Sequence, residues 1–311
     1  MPIGVFDSGL GGLSVLRLLP AALPGRSFVY VADTARAPYG GRAQEEIRSY
    51  SEEIADVLFG KLGCDALVIA CNTATAASAK TLRARYPDVP IIGMEPAVKP
   101  AAEATQTGVV GVMATAATIG SEKYGKLLRE YGRDITVVED PSEGLVELIE
   151  AGETGQRLTA KLEAITAPML AAGADTIVLG CTHFPLVRNE LQRVVGEGVT
   201  LIDPAPAVVR EVVRRLVASG QTGRVGHAAA PESADPCSEH RTADLLRLAG
   251  QGVHPFSSAG GYRRARHIFL TSGEVGRFQE LVTRVVPEMA AGAEFGVLWE
   301  YTPPSPAGGG G

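Results

Sequence analysis

Two cysteines pose the first chemical question. "GCDALVIACNTATA" occupies Gly63–Ala76 and "GADTIVLGCTHFPL" occupies Gly173–Leu186. In each stretch a Gly and an Asp lead a largely apolar run, and a Cys follows six positions after the Asp. A cysteine behind a buried strand is ordinarily a small core hydrophobe. Here both are followed by polar residues where a helix begins, Asn72-Thr73 after Cys71 and Thr182-His183 after Cys181. Helix N-terminal amides and a nearby imidazole are expected to depress a thiol from its free pKa of about 8.5. A thiolate and a thiol on opposite faces of one carbon can remove a proton from one side and deliver one to the other. That chemistry inverts a stereocentre without a cofactor. Asn72, Thr73 and Thr182, with main-chain amides, could donate to a substrate carboxylate, and enclosure would exclude water.

Other residues join this candidate site by position. Asp7 and Ser8 in "VFDSGLGG" stand at a strand's carboxyl end, where Asp7 could relay a proton to the first thiol. The same stretch also reads as a dinucleotide loop, with Asp33 as the ribose-binding acid, but its third glycine position holds Ser14. His183 can pack or cap, and beside Cys181 it can relay a proton. "ADTARAPYGGR" (Ala32–Arg42) is either a plain turn or a substrate loop whose Gly40 amide meets a carboxylate while Tyr39 closes the cleft. Cys237 and His240 form half a zinc signature without a second pair, so no metal is expected. Arg263, Arg264 and Arg266 read as a solvated charge run.

The elements that must position these groups follow from the patterning. β-Branched runs predict strands at Ile3–Phe6, Phe28–Ala32, Ala66–Ala70, Val109–Met113, Ile135–Val138, Thr176–Leu179, Thr200–Ile202 and His267–Leu270. Helical patterns fall at Gln44–Leu62, Thr118–Tyr131, Leu158–Ala171 and Ala207–Val217. Apolar strands alternating with helices imply parallel sheets covered on both faces, with ligands bound beyond the strands' carboxyl ends. "IGVFDSGLGGLSVLRLL" and "VVGVMATAATIGSEKYGKLL" repeat one plan, with Gly4 and Gly111 offset by 107 and the two cysteines by 110. The expectation is two similar doubly wound parallel-sheet lobes related by pseudo-twofold symmetry, with the active site in the cleft between them. The first lobe comprises residues 1–96 and 208–311 and carries Cys71; the second comprises 97–207 and carries Cys181. Residues 219–265 read as a mobile loop region and 302–311 as a disordered tail.

Composition bounds the partners. The 311 residues carry a net charge of −6, which offers no footprint for nucleic acid or an anionic membrane surface. No stretch approaches the roughly 20 apolar residues of a membrane span, and Met1–Leu23 does not read as a signal peptide. Four cysteines in a chain of this length make no disulfide framework, and a cytoplasmic protein with reduced thiols is expected.

With these residues in view, the sequence resembles the cofactor-independent glutamate racemases of the aspartate/glutamate racemase superfamily. The motifs are "GVFDSGLGGLSVL", "ADTARAPYG", "CNTATA", "GMEPA", "ATAAT", "GCTHFPL" and the late "HIFLTSGEVGRFQ". The resemblance implies that Cys71 and Cys181 are the two bases, assisted by Asp7 and His183 respectively. It also implies substrate contacts from Ser8, Pro38, Tyr39, Gly40, Asn72, Thr73 and Thr182, with Glu150 at an acidic position linked to the site. By the same analogy Cys71 abstracts from the D isomer and Cys181 from the L isomer. The implied substrates are L- and D-glutamate, the cofactor none, and the role supply of D-glutamate for peptidoglycan in a bacterium. A homodimer is compatible with the family. The chain departs from the pattern at Asp140-Pro141, where a Cys-Pro is frequent, and by extra length between Ser219 and Arg266. Two other classes predict different behaviour: a nicotinamide dehydrogenase would need a cofactor and tolerate loss of Cys181, and a two-lobed ligand binder would tolerate loss of both thiols.

Overall fold

The computed structural model of the chain describes residues 1–220 and 265–300. The loop reading for 219–265 and the tail reading for 302–311 therefore fall almost wholly outside the described residues, as do Cys237 and His240. Two parallel sheets organise the rest. The first contains β1 (Ile3–Asp7), β2 (Phe28–Ala32), β3 (Ala66–Ile69) and β4 (Ile91–Gly93), and the second contains β5 (Val109–Met113), β6 (Thr136–Asp140), β7 (Thr176–Leu179) and β8 (Thr200–Ile202). Late in the chain β9 (Ile268–Thr271) and β10 (Glu294–Val297) extend the first sheet, giving the order β10-β9-β2-β1-β3-β4, while the second runs β6-β5-β7-β8.

The central strands β1, β2, β3 and β7 are buried along their whole length because both faces of the sheet are covered. Ile3 and Val5 of β1 enter one core and Phe6 enters the other. In β7, Ile177 and Leu179 face one core and Val178 the opposite one. The covering helices are α1 (Leu13–Leu16), α2 (Leu19–Ala22), α3 (Gln44–Asp56), α4 (Asn72–Arg85), α5 (Val98–Ala104), α6 (Ala116–Ile119), α7 (Glu122–Tyr131), α8 (Leu145–Glu150), α9 (Gln156–Ala171), α10 (Arg188–Val195), α11 (Ala205–Ala218), α12 (Val275–Val285) and α13 (Pro287–Ala290). Their starts carry local signals: Ser121 accepts from the Tyr124 amide at 3.2 Å at the head of α7, and the Glu46 carboxylate accepts the Ala43 amide at 3.2 Å before α3.

The repeat in sequence is a repeat in register. Gly4 pairs with Leu67 in the first sheet, and Gly111 pairs with Ile177 in the second, the same two offsets that separate the motifs. The lobes also exchange a helix. Val98 and Ala101 of α5 follow β4 yet pack in the core of the second sheet, and Val208, Val209, Val212 and Leu216 of α11 follow β8 yet pack in the core of the first. Each of the buried valines and the leucine stabilises the joined state by about 1.5–3 kcal/mol, and Ala101 by less. The two crossings read "MEPAV" and "IDPAPAV", so the exchange itself is part of the duplication.

Small differences from the patterning have local causes. The helix expected over Gln44–Leu62 is α through Asp56 and then widens into a π turn at Val57–Lys61. The one expected over Thr118–Tyr131 is broken by Gly120 and recapped by Ser121, giving α6 and α7.

Candidate functional site

The carboxyl ends of β1, β3, β5 and β7 meet between the lobes. Cys71 directly precedes α4 and caps it, its Sγ accepting from the Ala74 amide at 3.4 Å. The Ser8 hydroxyl lies 3.7 Å from the same sulfur. Asp7 is fully buried at the end of β1, where its Oδ2 accepts the Gly12 amide at 2.9 Å and its Oδ1 receives a long 3.5 Å contact from the Thr182 hydroxyl of the other lobe.

Cys181 has a different neighbourhood. Its Sγ lies 3.7 Å from His183 Nδ1, and the other ring nitrogen, Nε2, lies 2.8 Å from Glu150 Oε1. Glu150, the last residue of α8, also accepts the Leu10 amide at 3.2 Å and so ties the second lobe to the loop after β1. Cys71 and Cys181 are both free thiols, 6% and 7% exposed.

The electrostatics separate the two thiols. Burial, and then the Asp7 carboxylate, push the Cys71 thiol well above its ordinary range; the Ala74 amide and Ser8 hydroxyl pull the other way without offsetting them. This corrects the expectation that a helix N-terminus would depress it: one amide at 3.4 Å is outweighed by removal from water beside a carboxylate. Burial likewise raises Asp7. For His183 burial opposes the charged form, yet its contacts with Cys181 and Glu150 raise the imidazole well above its usual value. Burial would raise Glu150 too, and the bond and charge of His183 hold it below the usual carboxylate range instead. One thiol thus neighbours a carboxylate, and the other an imidazolium–carboxylate pair.

Around the thiols the remaining predicted residues gather. Asn72 is 5% exposed, and neither its Oδ1 nor its Nδ2 has a partner, which is costly for a buried amide unless a ligand supplies one. Thr73 Oγ1 reaches Thr115 Oγ1 at 3.0 Å and Thr118 Oγ1 at 3.4 Å across the lobes. Tyr39 is buried in the same core as Cys71, Gly40 abuts Thr115, and Pro38 is exposed at the loop's tip. Thr115 and Thr118 were not singled out from the sequence, since threonine at a helix start is usually only a cap, which Thr115 also is here.

These contacts make the symmetry explicit. Shifting Thr73 by 110 and Gly11 by 107 turns the Thr73–Thr118 contact into a His183–Gly11 contact, and a Cβ on Gly11 would fall 2.5 Å from His183 Nδ1. Two unlike contacts that interchange when the lobes are swapped are what a pseudo-twofold axis produces. They also dispose of the dinucleotide reading. The glycines there admit the second lobe rather than a pyrophosphate, and Asp33 is occupied by Arg36 Nε at 2.7 Å and the Tyr39 hydroxyl at 2.5 Å. Gly11→Ala is therefore expected to force the lobes apart at a site with no slack, costing about 1–3 kcal/mol of stability as overpacked cores do. A thermal melt checks this, and an unchanged melting temperature would show the contact to be soft.

Two duplicated α/β lobes, each bringing a thiol with its own acid–base neighbours to one buried interface, have the layout of a racemase-type isomerase. Comparison with known proteins agrees. The family described as Asp/Glu/hydantoin racemase matches residues 3–212. A glutamate racemase of Pseudomonas paraeruginosa is 49% identical over 239 residues, covering 74% of this chain and 90% of that protein. One from Pseudomonas aeruginosa is 50% identical over 238 residues, covering 74% and 89%. The solved Escherichia coli glutamate racemase, in complex with L-glutamate and the activator UDP-MurNAc-ala, superposes with a TM-score of 0.71 at 28% identity, over 95% of this chain and 98% of that one. The chain belongs to the Asp/Glu/hydantoin racemase family. Among the described residues no helix is long and apolar enough to cross a membrane.

Proposed function

We propose that the chain is a glutamate racemase that interconverts L- and D-glutamate through Cys71 and Cys181, without a cofactor. The observation that carries this reading is the pair of buried free thiols at equivalent strand ends, each with a separate acid–base partner. The relatives' names supply glutamate as the substrate. Cys181 as thiolate takes the Cα proton of L-glutamate, and the electron pair left on Cα delocalises into the α-carboxylate. The Cys71 thiol then delivers its proton to the opposite face, and D-glutamate leaves. The reverse reaction exchanges the roles. Asp7 and Ser8 serve the Cys71 step; His183, held by Glu150, serves the Cys181 step.

Asn72 is the natural partner for the substrate's backbone groups, because its amide is otherwise unsatisfied. Thr73, Thr115, Thr118, Thr182, Tyr39 and Gly40 line the same interface and supply hydroxyl and amide contacts. Cys71, Cys181, Asn72 and Thr73 are buried at this interface, and a low-dielectric site strengthens every donor facing the developing charge. The lobe division at residues 1–96 with 208–311, and 97–207, puts one thiol on each. D-Glutamate supply for peptidoglycan in the cytoplasm is the role that accompanies this activity.

The test is circular dichroism of L-glutamate with purified protein and no added cofactor, which should decay to zero ellipticity. In deuterium oxide the D-glutamate formed should carry solvent deuterium at Cα, and L-aspartate should racemise far more slowly. An unchanging signal would exclude the proposed activity, and equal rates on aspartate would exclude the glutamate preference alone.

A further inference from the structure

The loop after β2 carries Tyr39 and Gly40 into the interface, yet it is a ten-residue segment, 33–42, with no regular helix or strand. Something must hold it. Thr34 Oγ1 lies 2.6 Å from Thr271 Oγ1 at the end of β9 and the Ala35 amide donates to Ser272 Oγ at 2.9 Å, and Arg36 adds a further set of contacts. Its Nε donates to Asp33 Oδ2 at 2.7 Å, and its Nη1 donates to Glu53 Oε2 of α3 at 2.7 Å. The guanidinium carbon stands 4.1 Å from the ring centre of Tyr50 and 5.2 Å from that of Trp299, which follows β10. Its backbone is used as well: its amide donates to the Asp33 carbonyl at 3.1 Å, and its carbonyl accepts from Arg42 Nε at 2.7 Å.

Asp33 links this cluster to the reaction centre. Its amide donates to the Asp7 carbonyl at 3.0 Å, and its Oδ2 accepts the Tyr39 hydroxyl at 2.5 Å as well as Arg36. Asp33 is fully buried, and among the described residues Arg36 is the only cation paired with this carboxylate, which also fixes Tyr39. Without it, that carboxylate would be a buried charge holding one phenol. The loop would have to shift to hydrate it, carrying Tyr39 and Gly40 along. An exposed ion pair adds little, but the Arg36 side chain is only 19% exposed and is held in a planar fork between two carboxylates and two rings.

We propose that Arg36 is a positioning residue for the substrate loop: through Asp33, Glu53, Tyr50 and Trp299 it holds Tyr39 and Gly40 at the lobe interface beside Cys71 and Thr115. Arg36 touches neither thiol and reaches the reacting atoms only through the loop. The inference rests on the proposed racemase reading for the substrate and the role of that loop. Its signature is a loss of ground-state binding more than of chemistry, because the acid–base groups stay in place.

The experiment is steady-state kinetics of Arg36→Met and Arg36→Lys on glutamate, with a thermal melt of each. The expected result is a KM raised roughly 10- to 100-fold, with kcat changed far less. Lysine should not rescue, because a point charge cannot reproduce the fork and the ring stacking. Glu53→Gln and Trp299→Leu, at exposed positions, should raise KM by smaller factors and guard against a misfolded Arg36 variant. Trp299 is the chain's one tryptophan, so its emission should shift in Arg36→Met, reporting the broken clamp directly. Unchanged KM in the folded variants overturns the inference, as does a fall in kcat and melting temperature at constant KM, which would mark a purely structural residue. A wild type that does not racemise glutamate overturns the proposed function and this inference together, whereas an active wild type with indifferent Arg36 variants overturns the inference alone.

Discussion

Cys71→Ala and Cys181→Ala should each abolish racemisation starting from either enantiomer, lowering the rate by at least ~10⁴-fold, the upper range for loss of a general acid or base. One turnover consumes one base and one acid on opposite faces, so neither thiol is dispensable in either direction. Thermodynamics makes the symmetry strict. Enantiomers in water have equal free energies, so the equilibrium constant is unity and kcat/KM must match in the two directions for any variant. A protein that racemised L- but not D-glutamate is therefore excluded whatever the mechanism. Removing one buried sulfur leaves a small void and, at Cys71, the loss of a weak helix cap. Both variants should stay folded, and the loss should be chemical. Ellipticity decay from each enantiomer, with melts alongside, measures it. A folded Cys181→Ala protein with the wild-type rate would end the two-thiol account.

Most of the fold was legible because duplication made each half a check on the other. Gly4 and Gly111, and Cys71 and Cys181, already fixed which strands correspond, and the register confirms them. What escaped notice was short or faced an edge. β4 is three residues behind Pro90, too brief to show a period, and β10 lies at the sheet's edge with four half-buried residues, where no alternation is required. The reciprocal placement of α5 and α11 was invisible for another reason. A helix's apolar stripe says that it is covered but not by which sheet.

The site divides similarly. Residue type and strand-end position brought Cys71, Asp7, Ser8, Asn72, Thr73 and Cys181 together, and its place two residues after Cys181 brought His183. Glu150 came only by resemblance, and its place against His183 Nε2 depends on a helix end that no local pattern aims. Chemical tuning was least legible. The sequence offered Cys71 a helix N-terminus, and only the folded chain's burial of the thiol, with the Asp7 carboxylate beside it, reverses the direction of its shift. Arg36 passed as an unremarked loop residue because Glu53 and Trp299 are distant in sequence.

The unlike partners of the two thiols allow a stricter test than loss of activity. Asp7→Asn and His183→Asn should each slow racemisation roughly 10²–10⁴-fold, the range for removing a group that assists proton transfer. Because kcat/KM must fall equally in both directions, the rates alone cannot tell which thiol was harmed. Isotope effects can. If Cys71 works on the D face, Asp7→Asn makes the Cys71 transfer the highest barrier. A deuteron on Cα of D-glutamate then moves in the slow step and gives a large primary isotope effect. A deuteron on L-glutamate is removed earlier, by Cys181, and gives a small one. His183→Asn should reverse the pattern, because Cys181 loses the imidazole 3.7 Å from its sulfur while Cys71 keeps Asp7 and Ser8. General damage to the fold would instead move both isotope effects together. Measuring kcat/KM for Cα-deuterated and protiated L- and D-glutamate with each variant decides it. Isotope effects that stay equal for the two enantiomers in both variants would show that Asp7 and His183 do not serve separate thiols.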